Sequence, residues 1–128
     1  MIVGIGTDLV RVVRLEEGLA RFGESLARRI LAEGEWAEFV RERRPGHFLA
    51  KRFAAKEAVA KALGTGFRGG MKLSEIEVVH DSVGRPGLMY SGVTALRIAE
   101  RGVTESHLSL SDEQAYALAF VVLVAAGA

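Results

Sequence analysis

The sequence predicts a single α+β domain in which helices pack on an antiparallel sheet, and three observations carry that prediction. The predicted elements run strand, helices, hairpin, helix, hairpin, rather than in the strict βαβ alternation of a doubly wound parallel sheet. The strand segments alternate polar and apolar residues, as antiparallel strands with one wet face do. The 128 residues suffice for one core burying roughly two thirds of the unfolded surface. No linker, repeat or low-complexity tract divides residues 1–128, so they are read as one domain.

Ile2, Val3 and Ile5, with glycines at 4 and 6, form a short β-compatible run ending at Thr7 and Asp8, which places Asp8 at a strand end. From Leu15 to about Glu42, Leu15, Leu19, Phe22, Leu26, Ile30, Trp36, Phe39 and Val40 recur at three- and four-residue intervals. That is the amphipathic helix pattern, and Gly18, Gly23 and Gly34 divide it into several short helices. Pro45 and Gly46 break the chain before Phe48–Leu63, sixteen residues with six alanines and no Gly or Pro, which reads as the main helix with Gly64 as its stop. Ile76 and Val78 alternate with Glu75 and Glu77 as on a strand, Asp81–Gly87 contains a turn, and Leu88–Tyr90 is the return strand. Val93–Arg101 is a further helix ending at Gly102, and two strands follow near 106–111 and 115–124. The apolar run from Ala115 to Ala126 is shorter than the ~20 residues needed to span a bilayer, so it reads as a buried strand.

Composition narrows the function. Seventeen Lys and Arg against sixteen Asp and Glu give a formal charge of +1, so neither nucleic acid nor a membrane surface is an expected partner. The absence of cysteine excludes a disulfide scaffold, a thiolate nucleophile and cysteine-ligated zinc, and with no basic n-region at the start a cytoplasmic location is expected.

Chemistry concentrates on the main helix. Phe53, Glu57 and Lys61 are spaced by four and share one face, and Arg52 and Lys56 share the neighbouring one. A solvated Glu57–Lys61 pair is the bland reading. The sharper one adds Asp8: two carboxylates with open positions suit Mg²⁺, which keeps waters and phosphate oxygens in its shell, and a lysine beside them neutralises phosphate. His107, Ser109 and Ser111 alternate with Leu108 and Leu110, so the polar groups share one strand face. Gly64-Thr65-Gly66 either caps the helix or brings backbone N–H groups to an anion. Arg14, Arg21 and Arg28 fall seven apart and, with Arg11 and Arg29, would form one basic flank if the helices continue each other.

At these residues the sequence resembles the holo-[acyl-carrier-protein] synthase family of bacterial 4′-phosphopantetheinyl transferases. Gly4-Ile5-Gly6-Thr7-Asp8-Leu9-Val10 is similar to the family's N-terminal motif. Phe53-Ala54-Ala55-Lys56-Glu57-Ala58-Val59-Ala60-Lys61-Ala62 matches the helix signature F-x-x-K-E-S/A-x-x-K-A. Further similarity lies at Leu49-Ala50-Lys51-Arg52, Gly64-Thr65-Gly66, Gly84-Arg85-Pro86 and His107-Leu108-Ser109-Leu110-Ser111, so the resemblance spans residues 1 to about 124.

The resemblance implies transfer of the phosphopantetheine arm of coenzyme A to a serine of apo acyl carrier protein, releasing adenosine 3′,5′-bisphosphate, in fatty acid biosynthesis. It implies Mg²⁺ held by Asp8 and Glu57, with Asp8, Glu57 and Lys61 as the catalytic group. It assigns coenzyme A to Arg52, Lys61, Gly64, Gly66, Pro86 and His107, with Arg14 and Arg21 docking the acidic carrier protein. It also implies a homotrimer with its clefts between subunits. The serine proton has three candidate acceptors, a water on the metal, Glu57 or His107, of which metal-assisted deprotonation is favoured. Asp112 stands where many members have histidine and is given no catalytic duty. A non-catalytic trimeric coenzyme A- or nucleotide-binding module and a metal-dependent nuclease are the alternatives; the second calls for a basic track that a near-neutral chain does not favour.

Overall fold

A computed structural model describes residues 1–127. Strands β1 (Ile2–Arg11), β4 (Val103–Asp112) and β5 (Tyr116–Ala125) form an antiparallel sheet in the order β1-β5-β4, and β2 (Ile76–His80) and β3 (Pro86–Tyr90) form a separate hairpin. The helices are α1 (Val12–Phe22), α2 (Glu24–Ile30), α3 (Trp36–Phe39), α4 (Pro45–Leu63) and α5 (Gly92–Glu100), with 3-10 turns at Glu33–Glu35 and Leu73–Glu75. The antiparallel α+β architecture is the one the element order predicts.

Helix α4 is the centre of the molecule. One side lies on the sheet, against β1 and β5, and α1 and α2 cover much of the rest. Its core contacts are mostly small: Ala50, Ala54, Ala55, Ala58 and Ala62 are all buried beside Leu49, Val59 and Leu63. Gly64 ends the helix in the left-handed conformation, φ 78°, with its N–H on the Ala60 and Lys61 carbonyls. The helix starts at Pro45 rather than Phe48, because a proline at the first helical position gives up an N–H that has no partner there.

Other boundaries also shift. Strand β1 does not stop at Asp8; it pairs with β5 from Gly4 opposite Leu123 to Arg11 opposite Tyr116, so Asp8 lies inside the strand opposite Ala119. Strand β5 is not buried on both faces: Ala117, Ala119, Val121 and Leu123 face α4, while Tyr116, Leu118 and Phe120 point to the outer, uncovered face. Glu75 precedes β2 and caps α5 instead, accepting from the N–H groups of Val93 and Thr94 and from the Thr94 hydroxyl. Gly23, at φ 61°, breaks α1 from α2, so the spaced arginines do not form one continuous flank. The terminal strands close on each other, as the Met1 amine donates to the Ala125 carbonyl at 3.0 Å and Ala125 N–H returns a bond to Met1.

Candidate active site

The period of two along β1 places Gly4, Gly6, Asp8 and Val10 on the face turned to α4. A Cβ at Gly4 would overlap the Ala62 carbonyl, and one at Gly6 would overlap the Ala58 carbonyl and lie 2.8 Å from the Ala62 nitrogen. The two glycines therefore let strand and helix backbones touch, and Asp8, the next residue on that face, meets the side chains of the same helix. Lys61 Nζ lies 2.9 Å from Asp8 Oδ1 and donates to the Thr7 carbonyl at 2.9 Å. Lys61 thus pairs with Asp8 across the strand–helix seam.

Glu57, one turn before Lys61 and half-buried, is held above the usual carboxylate range by burial first and the charge of Asp8 second, with Lys61 and Arg14 opposing. The Asp8 side chain is 14% exposed. The two carboxylates repel one another in a partly desolvated seam, and a divalent cation would relieve that repulsion. Among the described residues no three His, Cys, Asp or Glu side chains converge, so an ion here would draw its remaining ligands from water and substrate. Hard oxygen donors, few in number and open to phosphate, fit Mg²⁺.

Around this cluster the expected residues divide. Arg14 stands beside it, its guanidinium 6.0 Å from the ring of Phe53, one turn before Glu57. Arg21 is exposed farther along α1 and lies over Phe22. Gly64 and Gly66 follow Lys61 closely, but both N–H groups bond to the Ala60 carbonyl, so they serve as helix cap. Arg52 points about 140° around the helix from Glu57; it is buried, bonded to Glu38 at 2.9 Å and 3.8 Å from Glu35. His107 is exposed on the outer face of the sheet, in the row Ile5–Val122–His107, opposite the side that carries Asp8. Pro86 opens β3 in the separate hairpin. Within one chain Asp8, Glu57, Lys61 and Arg14 come together, and Arg52, Pro86 and His107 stay apart from them.

Two features escaped the sequence reading. Lys56, read there only as a base beside Arg52, is completely buried on Glu35, and burial lowers its pKa. A cationic hollow of about 480 Å³ is lined by Arg41, Arg43, Arg44, His47, Lys51 and Asp112. There His47 Nε2 lies 2.6 Å from Asp112 Oδ2 and that bond lowers the Asp112 pKa. The density of Arg in 41–44 was the available signal.

Residues 4–121 match the model of the 4′-phosphopantetheinyl transferase superfamily. A holo-[acyl-carrier-protein] synthase of Halorhodospira halophila is 56% identical over 124 residues, covering 97% of this chain and 98% of the relative. The crystal structure of the synthase from Neisseria meningitidis superposes with a TM-score of 0.91 at 44% identity, over 97% of this chain and 99% of that one. That of Bacillus anthracis, in complex with CoA (3′,5′-ADP), gives 0.79 at 38% identity over 98% and 99%. A fold shared over nearly the full length, together with a match that takes in the seam of Asp8, Glu57 and Lys61, leads to one conclusion: the chain belongs to the 4′-phosphopantetheinyl transferase superfamily.

Proposed function

We propose that this chain is a Mg²⁺-dependent holo-[acyl-carrier-protein] synthase: it transfers 4′-phosphopantetheine from coenzyme A to a serine of apo acyl carrier protein, the step that readies the carrier for fatty acid synthesis. The observation that carries the proposal is the convergence of Asp8, Glu57 and Lys61 where β1 touches α4. The serine oxygen bonds to the phosphorus bearing the pantetheine arm as the bond to the bridging oxygen breaks and adenosine 3′,5′-bisphosphate leaves. Asp8 and Glu57 would hold the metal, and what it supplies when bound is positive charge to the diphosphate oxygens. Lys61, whose side chain is 55% exposed, can swing from Asp8 to a phosphate oxygen and balance the charge that builds there. His107, on the other face of the sheet, is out of reach within one chain, and Glu57, engaged as a metal ligand, would be a poor proton acceptor, which favours metal-assisted deprotonation of the serine.

Arg14, beside this seam, and Arg21, farther along α1, are both exposed and suit an acidic carrier surface. The outer face of the sheet supports self-association: Ile5, Leu9, Leu118 and Phe120 are 59%, 62%, 40% and 40% exposed there. A homotrimer packed through that face would turn His107 of one copy toward its neighbour; the count of three comes from the resemblance. No helix among the described residues is long and apolar enough to cross a membrane. The test is intact-protein mass spectrometry of apo acyl carrier protein incubated with this protein, coenzyme A and Mg²⁺, with an EDTA control. A metal-dependent gain of one phosphopantetheine supports the proposal; coenzyme A binding without any gain on several apo carriers overturns it.

A further inference from the structure

The core holds one polar cluster that the proposed chemistry leaves unused. Glu35 is 2% exposed and Lys56 is 0% exposed, yet both are ionisable. Glu35 Oε1 accepts from the Ala32 N–H at 2.8 Å and from Lys56 Nζ at 2.5 Å, and Oε2 accepts from the Val78 N–H at 2.9 Å. Lys56 Nζ donates again to the Ile30 carbonyl at 2.6 Å, and Arg52 Nε stands 3.8 Å from Glu35 Oε2. One carboxylate and one ammonium thereby tie α4 to the end of α2, the 3-10 turn after it and β2.

On the opposite side α4 meets β1 through Gly4, Gly6, Ala58 and Ala62, a close seam of backbone and methyl groups. The side-chain bonds across it are those of the half-exposed Lys61, to Asp8 and the Thr7 carbonyl, and so belong to the site itself. Small-residue seams fix the distance between two elements but resist rotation poorly, because no ridge must climb out of a groove. Rotation is what the site cannot tolerate. Side-chain tips lie about 5–6 Å from a helix axis, so a turn of about 10° moves Glu57 and Lys61 by about 1 Å against Asp8. A displacement of that size can cost a rate on the order of 100-fold.

We propose that the buried Glu35–Lys56 pair is the rotational lock of α4, so that both are positioning residues that hold Glu57 and Lys61 in register with Asp8. The inference rests on the reading of Asp8, Glu57 and Lys61 as the reactive site. Lys56 stands next to Glu57 in sequence, so the lock acts on the residue adjoining the site, about 100° around the same turn. Directional hydrogen bonds from several segments give a unique orientation that an apolar contact of equal volume would not.

The experiment compares Lys56→Met, Glu35→Gln and the double variant Lys56→Met/Glu35→Gln with wild type, reading thermal stability, kcat, KM for carrier protein, and Mn²⁺ affinity by calorimetry. The expected result is a kcat at least tenfold lower and weaker Mn²⁺ binding in every folded variant, with KM for the carrier within twofold, since α1 is untouched. The double variant removes both charges and recovers stability relative to Lys56→Met, while kcat stays low. If kcat returns with stability in the double variant, the pair is structural only and the proposal fails. Glu35→Gln, which keeps the shape and one backbone acceptor, decides the matter should Lys56→Met not fold. Asp8→Ala run alongside separates the two readings: if it keeps full activity the site itself is wrong, whereas an inactive Asp8→Ala beside fully active lock variants overturns the lock alone.

Discussion

Gly6→Ala adds a single methyl group to the seam that builds the site, and its effect can be worked from the geometry. The new Cβ would overlap the Ala58 carbonyl oxygen and stand 2.8 Å from the Ala62 nitrogen, both backbone atoms that no side-chain rotation can move. Restoring separations of about 3.5 Å forces β1 and α4 apart by at least about 0.7 Å at the nitrogen, and by more at the oxygen. Overpacking of this kind costs about 1–3 kcal/mol. The parting opens the 2.9 Å contact between Lys61 and Asp8 and carries Glu57 away from Asp8. Because a shift near 1 Å can cost on the order of 100-fold in rate, activity should fall far more than stability. The assay is single-turnover transfer followed by intact-protein mass spectrometry, with melting measured on the same preparation. Gly87→Ala, whose Cβ would make an ordinary 3.6 Å contact with Val79, is the matched control for stability. A folded Gly6→Ala protein with kcat within twofold of wild type would refute the claim that backbone contact sets the site.

Asp8→Ala and Glu57→Ala should each abolish transfer with the fold retained by circular dichroism, and a wild-type rate in either would remove it from the metal site. Because the folded-state pKa of Glu57 is raised, its charged form opposes folding, and that penalty grows as pH rises from the ordinary glutamate value through the raised one. Glu57→Gln should therefore melt higher than wild type at neutral pH, with the advantage vanishing in acid. Adding Mg²⁺ should lower the Glu57 carboxyl pKa followed by carbon-detected NMR; no movement would mean the ion binds elsewhere. Phe120→Glu should reduce the assembly mass measured by light scattering, and an unchanged mass would free the outer sheet face from the subunit interface. Arg21→Glu should raise KM for the carrier protein, most at low salt; Arg14→Glu is the less clean probe, since Arg14 also acts on Glu57.

What the sequence disclosed followed from range. Helix α4 and the alternation of His107, Ser109 and Ser111 with Leu108 and Leu110 depend on spacing within a few residues, and both were legible. The full length of β1 was not, because the pairing that carries it past Asp8 to Arg11 comes from β5 at the far end of the chain. Glycines 4 and 6 were read only as members of a short β-compatible run, yet their lack of Cβ is used by a helix more than fifty residues away. The grouping of Asp8, Glu57 and Lys61 was proposed from chemistry and resemblance rather than from pattern. Arg52 and Lys56 were legible only as bases sharing a helix face, Arg52 being assigned to coenzyme A by resemblance; nothing local shows that Glu35 and Glu38 pair with them.

The closure of β1 on β5 bears on how the protein is made. As the chain leaves the ribosome, the strand carrying Asp8 emerges more than a hundred residues before Leu118, the partner of Leu9. Such distant pairing carries a large loop-closure cost and folds slowly. Helix α4 can form early, but Asp8 has no ladder to hold it against Glu57 and Lys61 until the final strand is threaded between β1 and β4. On the proposed reading of Asp8, Glu57 and Lys61, a chain that lacks β5 should therefore be inactive, and competence should arrive in the same step that seals the sheet.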